Sequence, residues 1–339
     1  MKVVYFQRKR GPGHFSIEKV FEIFWSYLPP NIQPVVLQCP RESRGILNRI
    51  INILWAWRNQ GDINHVTGDV HYLTYLMRRR RTVLTIHDCV LMERHQGFKR
   101  WLLRLLWYRL PVARSGIVTT ISQFTKDQLL KHVFCTPDKI VVIHDPYDPS
   151  FKPSPKPFNT DCPVILQMGT GWNKNLERVA AALDGIHCFL EIVGTLSKEQ
   201  RTILESHSIR YANHVNISDQ ELYSLYKKCD LVTFASLFEG FGLPIIESQA
   251  VGRPIVTSNR CPMTEVAGGA ACLVDPESVE SIRQGILKVI EDKVYREELV
   301  RKGLENIERF APQKIAARYV ENYEKLIFNH QFKVGKARL

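Results

Sequence analysis

The sequence contains no run that would cross a membrane as a helix. Its longest charge-free stretch, Ile23 to Pro40, carries Pro29, Pro30, Pro34 and Pro40, and prolines so placed break a spanning helix. The start lacks the apolar core of a secretory signal. Lys2 leads into Val3-Val4-Tyr5-Phe6 and then Arg8-Lys9-Arg10, so a cytoplasmic chain is expected. No two of the 8 cysteines are spaced C-x-x-C, and none clusters with histidines at metal-ligand spacing. That argues against a disulfide framework or a zinc site and for buried thiols in a reducing compartment. Internal repeats, low-complexity tracts, a D-x-D motif with sheet-edge context and a G-x-G-x-x-G fingerprint are also missing.

Half of the chain lacks net charge. Residues 1–152 hold 23 lysines and arginines against 11 acids, and the remainder is balanced at 23 of each, so the whole excess of +12 sits in the first half. A basic field on one half implies a polyanionic partner: an anionic lipid surface, nucleic acid or a phosphorylated substrate. The 339 residues suffice for two domains. A 45% hydrophobic and 24% charged composition excludes disorder and coiled coil as the main architecture.

Apolar runs of strand length alternate with helical patterns throughout. Strands are expected at Lys2–Phe6, Val35–Leu37, Ile63–Val66, Thr82–Ile86, Ile117–Thr120 and Ile140–Ile143. A second series is expected at Val164–Met168, Phe189–Val193, around Val215, at Leu231–Ala235 and at Pro254–Thr257. Between them lie helical patterns such as 44–58, 125–130 with Ser122 as its cap, 175–183, 198–206, 219–228 and 244–251. Charged amphipathic helices are expected at 277–292 and 294–309. The spacing of Ala316, Tyr319, Val320, Tyr323 and Ile327 predicts one apolar face on a last helix. The expected domains are 1–150, a proline-rich linker at 151–160, 161–312, a helix over 313–330 that packs back on the first domain, and a frayed basic tail over 331–339. Two βαβα series mean two mostly parallel sheets, whose ligands bind beyond the carboxyl ends of the strands.

The stretch Ser236-Leu237-Phe238-Glu239-Gly240-Phe241-Gly242-Leu243-Pro244-Ile245-Ile246-Glu247 follows a strand and opens a helix. Its glycines admit close backbone approach, and a helix start favours an anion or a polar sugar. This segment resembles the E-x7-E signature of retaining glycosyltransferases of family 4, which have the GT-B fold. Leu166–Thr170 with Lys174-Asn175-Leu176, then Asp219–Leu222 with Tyr226 and Asp230, resemble that family's first strand, phosphate loop and following helix. Gly252–Asn259, Glu265–Gly268 and Val274-Asp275-Pro276 continue the pattern in order. The resemblance spans nearly all of residues 160–310.

The resemblance implies a GT-B fold of two Rossmann-like α/β domains with parallel sheets facing across a cleft, acting on a nucleotide-diphosphate sugar without a cofactor or bound metal. It implies that Glu239 contacts the transferred sugar and that Glu247 binds the donor ribose. Lys174 would hold the diphosphate, while Gly169, Thr170, Phe241, Gly242 and Leu243 would line the donor site. In the first half, Gly11 and Gly13, followed by His14 on the acceptor side, match a glycine-rich loop near the donor, and His87 a histidine beside the transferred sugar; His65 and His71, around Gly68-Asp69, are further acceptor-side candidates. An arginine common a few residues before the lysine is missing here. Either Thr170 and backbone amides suffice, or Arg8 or Arg10 reaches across.

Residues 98–109 interleave Trp101, Trp107 and Tyr108 with Lys99, Arg100, Arg104 and Arg109. Phe98, Trp101, Leu102, Leu105 and Leu106 form a helical stripe that either packs on the sheet or meets a membrane. With 46–58 and Arg78–Arg81 in the same half, docking to an anionic membrane at the inner face of the cell is expected, and nucleic acid is not. The resulting expectation is a retaining hexosyl- or deoxyhexosyltransferase acting on a glycan or lipid-linked acceptor in surface polysaccharide or lipopolysaccharide synthesis. The alternatives are a nucleotide-sugar epimerase or a phosphorylase on this fold, or a non-enzymatic polyanion binder.

Overall fold

A computed structural model describes residues 1–9 and 16–336. It divides into two compact units, Met1–Pro146 with Pro312–Leu339, and Tyr147–Ala311. The first unit's sheet is built from β1 (Lys2–Gln7), β2 (Gln33–Gln38), β3 (Ile63–Val66), β4 (Thr82–Ile86), β5 (Ile117–Thr120) and β6 (Ile140–Val142). The second contains β7 (Val164–Met168), β8 (Phe189–Val193), β9 (Tyr211–His214), β10 (Leu231–Phe234), β11 (Ile255–Ser258) and β12 (Cys272–Val274). The strand orders are β2-β1-β3-β4-β5-β6 and β12-β11-β10-β7-β8-β9. All pairs are parallel. Central strands are buried on both faces, so β4 and β10 are apolar or β-branched throughout and β1 is apolar at Val3, Val4, Tyr5 and Phe6, while β3 buries Asn64 and His65 between Ile63 and Val66.

Three expectations change. Val215 lies just beyond β9, whose residues are the mixed Tyr211-Ala-Asn-His214. Cys272–Val274 forms an edge strand too short to show a periodicity, burying Cys272 and Val274 and exposing Leu273 between them. The proline-rich stretch after Pro146 is docked rather than free. Phe151 is buried, with its ring 5.4 Å from those of both Tyr223 and Tyr226 in the second unit.

The helix Pro312–Lys336 completes the core of the first unit. Ile315, Ala316, Tyr319, Tyr323 and Leu326 are buried with Val3, Tyr5, Phe21, Phe24 and Ile63. Val320 and Ile327 are only half-buried, so the inward face is turned towards Ile315 and Leu326 relative to the expected one. Residues 333–336 continue the helix rather than fraying. Under it His65 is fully buried, Nδ1 at 2.7 Å from Tyr323 Oη and Nε2 at 2.7 Å from Thr85 Oγ1. Tyr323 donates in turn to Tyr5 Oη at 3.2 Å. His65 therefore ties helix to sheet and is not an acceptor residue. Burial lowers its pKa to about 3, so it is held neutral.

Candidate active site

The loop after β7 and the loop after β10 meet through a few side chains. Gly169, at φ +88°, ends the β7 strand; a Cβ there would stand 2.9 Å from Lys174 Cγ, so glycine is what lets the lysine stem lie across the loop. Lys174 Nζ donates to Glu239 Oε1 at 2.6 Å and sits 4.7 Å from the Phe234 ring centre. Asn173 Nδ2 donates to the Phe238 carbonyl at 2.9 Å and to the same Glu239 oxygen at 3.2 Å. Asn175 Nδ2 bridges the carbonyls of Ala235 at 2.9 Å and Pro276 at 2.7 Å, pinning three loops. Among the described residues no donor engages Glu239 Oε2, so one oxygen of this carboxylate is positioned and the other is available.

Gly242 caps the helix Leu243–Val251, which begins with Pro244 in its first turn and has no side-chain cap. Its start therefore presents the partial positive charge of an uncapped helix. Phe241 is buried against Phe310, centroids 5.7 Å apart, so it can contribute backbone but not its ring. Glu247, one turn in, accepts from Tyr226 Oη at 2.7 Å. Burial and the adjacent carboxylate raise the Tyr226 pKa well above its ordinary value, so it remains a donor and fixes the Glu247 rotamer. Thr170 donates its hydroxyl to the Thr195 carbonyl at 2.7 Å, leaving its backbone amide as the group to offer a ligand. Asn173 and Tyr226 were not assigned these contacts from sequence. Their partners lie 66 and 21 residues away, and the only local signal was a pair of asparagines flanking the lysine.

In the first unit His87 follows the carboxyl end of β4 and is half-buried. Its Nε2 donates to the Thr67 carbonyl at 2.7 Å, which leaves Nδ1 as acceptor. A Cβ on Gly68 would come within 2.7 Å of this ring, so the close approach needs glycine there. His71 does not line an acceptor surface. It is buried, with Nδ1 donating to the Trp107 carbonyl at 2.9 Å, and burial lowers its pKa to about 4. Arg8 is not a spare phosphate cation either, since it donates to Glu18 at 2.8 and 3.2 Å and to Asp69 at 2.6 Å. Gly11, Gly13, His14 and Arg10 lie outside the described residues. No group of three or more metal-ligating side chains occurs among the described residues.

The first unit also turns apolar helix faces outward. On the helix Ile46–Arg58 only Asn52 and Ala56 are buried, while Ile46 and Leu47 are 77% and 71% exposed and Ile50, Leu54 and Trp57 follow them. The helix Gly97–Leu103 continues through a wider π-type turn, Arg104–Arg109. Of the stripe that either packs on the sheet or meets a membrane, Phe98, Trp101, Leu102 and Leu106 are exposed and Leu105 is half-buried, while Tyr108 is buried. The two elements adjoin: the Arg49 guanidinium lies 5.3 Å from the Trp107 ring centre. No helix among the described residues is long and apolar enough to span a membrane.

Residues 150–306 match the glycosyl transferases group 1 model, and residues 7–151 match the glycosyltransferase family 4 model. The chain belongs to the family 4, group 1 glycosyltransferases. This glycosyltransferase is 27% identical over 304 residues, 80% of its own length and 77% of the relative's, to the O-antigen chain mannosyltransferase B of Escherichia coli. It is 24% identical over 237 residues, 65% of its length and 63% of the relative's, to the O-antigen chain mannosyltransferase RfbU of Salmonella typhimurium. Among solved structures, Anabaena Alr3699/HepE in complex with UDP and glucose superposes with a TM-score of 0.77 at 16% identity, covering 96% of this chain and 100% of that one. The fold of the glycosyltransferase is GT-B.

Proposed function

We propose that this glycosyltransferase transfers a hexosyl or deoxyhexosyl group, with retention, from a nucleotide-diphosphate sugar to a glycan or lipid-linked acceptor in surface polysaccharide synthesis. The observation that carries the reading is the Lys174–Glu239 pair beside the uncapped helix start at Gly242. The diphosphate takes Lys174 from Glu239, and the backbone around Phe241, Gly242, Leu243, Gly169 and Thr170 receives its remaining oxygens. Glu239, still held by Asn173, is then free to accept hydroxyls of the sugar. Glu247, oriented by Tyr226, accepts the two ribose hydroxyls. Lys174 and the helix start offset the charge that grows on the leaving diphosphate, so the reading needs no bound metal. His87, by resemblance, serves the transferred sugar through Nδ1. The acceptor hydroxyl attacks from the face that the diphosphate leaves, through an oxocarbenium-like transition state. The names of the curated relatives favour a mannosyl donor.

The acceptor reading extends to the membrane. Solvent-facing Ile46, Leu47, Phe98 and Trp101, ringed by exposed Arg44, Arg49, Lys99 and Arg100, suit peripheral docking on an anionic surface. The deciding experiment supplies UDP-, GDP-, ADP- and dTDP-sugars with a lipid-diphosphate acceptor and reads product stereochemistry by NMR. One donor giving a product with retained anomeric configuration is expected. An inverted product, or sugar interconversion without acceptor, overturns the proposal, the latter in favour of an epimerase.

A further inference from the structure

A cavity of about 580 Å³ opens in the second unit at the opposite end of the sheet from the glycine loops. Asp230 and Pro254, on its wall, immediately precede β10 and β11. The strands between put it about 15 Å from Gly169. Arg253 and Arg296 line it, each more than nine-tenths buried. Buried cations ordinarily find carboxylates, yet neither arginine forms an ion pair among the described residues.

Helix ends account for part of their donor sets. Arg253 Nη1 and Nη2 reach the carbonyls of Val251, Gly252 and Lys227, and Arg296 Nη1 those of Val289 and Ile290. Arg253 Nε is buried without an acceptor. Nε and Nη2 of Arg296 bond nothing among the described residues. The Arg296 guanidinium is held in place by stacking 3.9 Å from the Phe158 ring centre. Burial lowers the pKa of both arginines, outweighing the attraction of nearby Asp230 for both and of Glu297 and Asp292 for Arg296. Lys156 and Lys293 add two cations at the wall, and Asp230 and Glu297 only two carboxylates, so the lining keeps a net positive charge. Pro155, Pro157, Phe158, Pro254 and Val300 supply an apolar remainder.

We infer that this cavity is a second ligand site, taking a small organic anion whose phosphate or carboxylate engages Arg296 and whose ring or short apolar body lies along the prolines and Val300. It stands apart from the donor reading: neither Lys174 nor either signature glutamate lines it.

The test titrates the full chain with phenyl phosphate by calorimetry in a Lys174→Ala background, which weakens phosphate binding at the donor loops, while the cavity variants below tell the two sites apart. Saturable 1:1 binding is expected, with inorganic phosphate and phenol each at least about tenfold weaker because each lacks half of the contacts. Val300→Trp fills the cavity and should weaken phenyl phosphate by about tenfold or more. Glu297→Gln removes a wall carboxylate and should tighten it by about threefold. If Val300→Trp lowers the melting temperature, Glu297→Gln carries the test alone. No binding at millimolar probe, undiminished binding to a stably folded Val300→Trp, or unchanged or weaker binding to Glu297→Gln overturns the inference.

Discussion

The two units share a plan and differ in nearly everything laid upon it. Each is a six-stranded parallel sheet wrapped by helices. The second is charge-balanced, and two of its helices carry complete capping boxes, Ser197 with Gln200 and Ser218 with Glu221. The first carries the whole charge excess, exposes apolar helix faces and buries His65 and His71 as neutral rings. The shared sheet meets the requirement for a core; under the proposed function the differences follow what each unit would touch. A nucleotide is gripped by short loops at strand ends, which leaves the rest of a domain free to be ordinary. An extended anionic surface, as proposed for the first unit, would have to be met by a whole face, and a basic excess confined to one unit is what such a face would leave in the composition.

Four experiments press on this contrast. The largest effect is expected from ending the chain at Lys314. The truncation removes Ile315, Ala316, Tyr319, Tyr323 and Leu326 from the first unit's core. At about 1.5–3 kcal/mol for each of the four large side chains, the loss is comparable to a domain's usual margin of about 5–15 kcal/mol. The first unit should lose its cooperative melting transition while the second keeps its own, as read by calorimetry.

Next comes Glu239→Gln. Turnover at saturating donor and acceptor should fall by about a hundredfold or more with the melting temperature unchanged. Lys174→Ala should lower both affinity and rate for the diphosphate sugar but leave the neutral nucleoside bound as before. Equal losses for nucleoside and diphosphate sugar would indicate a damaged fold instead.

Third, Lys99, Arg100 and Arg104 changed together to Gln should weaken sedimentation with anionic vesicles by about a hundredfold, at about 1 kcal/mol per cation. Donor affinity should stay constant. Equal binding to anionic and neutral vesicles at low salt would remove the membrane from the account.

The smallest effect is a pH dependence confined to the first unit. His65 and His71, at about 3 and about 4, are neutral in the fold and protonate near 6.5 once unfolded. The unfolded state then binds more protons as the pH falls below about 6.5, so stability drops, by about 2 kcal/mol per histidine at pH 5. Asp145 opposes this: burial raises its pKa to about 6 despite nearby His87 and His144, so the folded state holds its proton first. Net destabilisation between pH 6 and 4, cancelled in part by Asp145, is expected in urea melts. His65→Gln should flatten the profile.

Much of this was readable from residues alone, and the exceptions share a cause. Thr82–Ile86 and Ile117–Thr120 are apolar or β-branched runs, and their bounds agree residue for residue with β4 and β5. The loop around Gly240–Gly242 carries its own signature. His65 and His71 defeated inspection because a polar ring is equally at home in a core that supplies partners for its nitrogens, here Tyr323, Thr85 and the Trp107 carbonyl. Periodicity marked 46–58 and 98–109 as amphipathic but could not say which side meets solvent, since that depends on neighbours distant in sequence. Tyr226 on Glu247 was hidden for the same reason.

The placement of the helix Pro312–Lys336 also sets an order of events during synthesis. The first six strands leave the ribosome early, yet their core lacks the residues that close it until the whole of Tyr147–Ala311 has been translated. At about 5–20 residues per second that interval is on the order of ten seconds or more. Tyr147–Ala311, continuous in sequence, has its entire core in hand and can fold while its predecessor waits. Until then Tyr5, Phe21 and Phe24 lack the helix that covers them, in the same unit that turns Ile46, Leu47 and Phe98 outward.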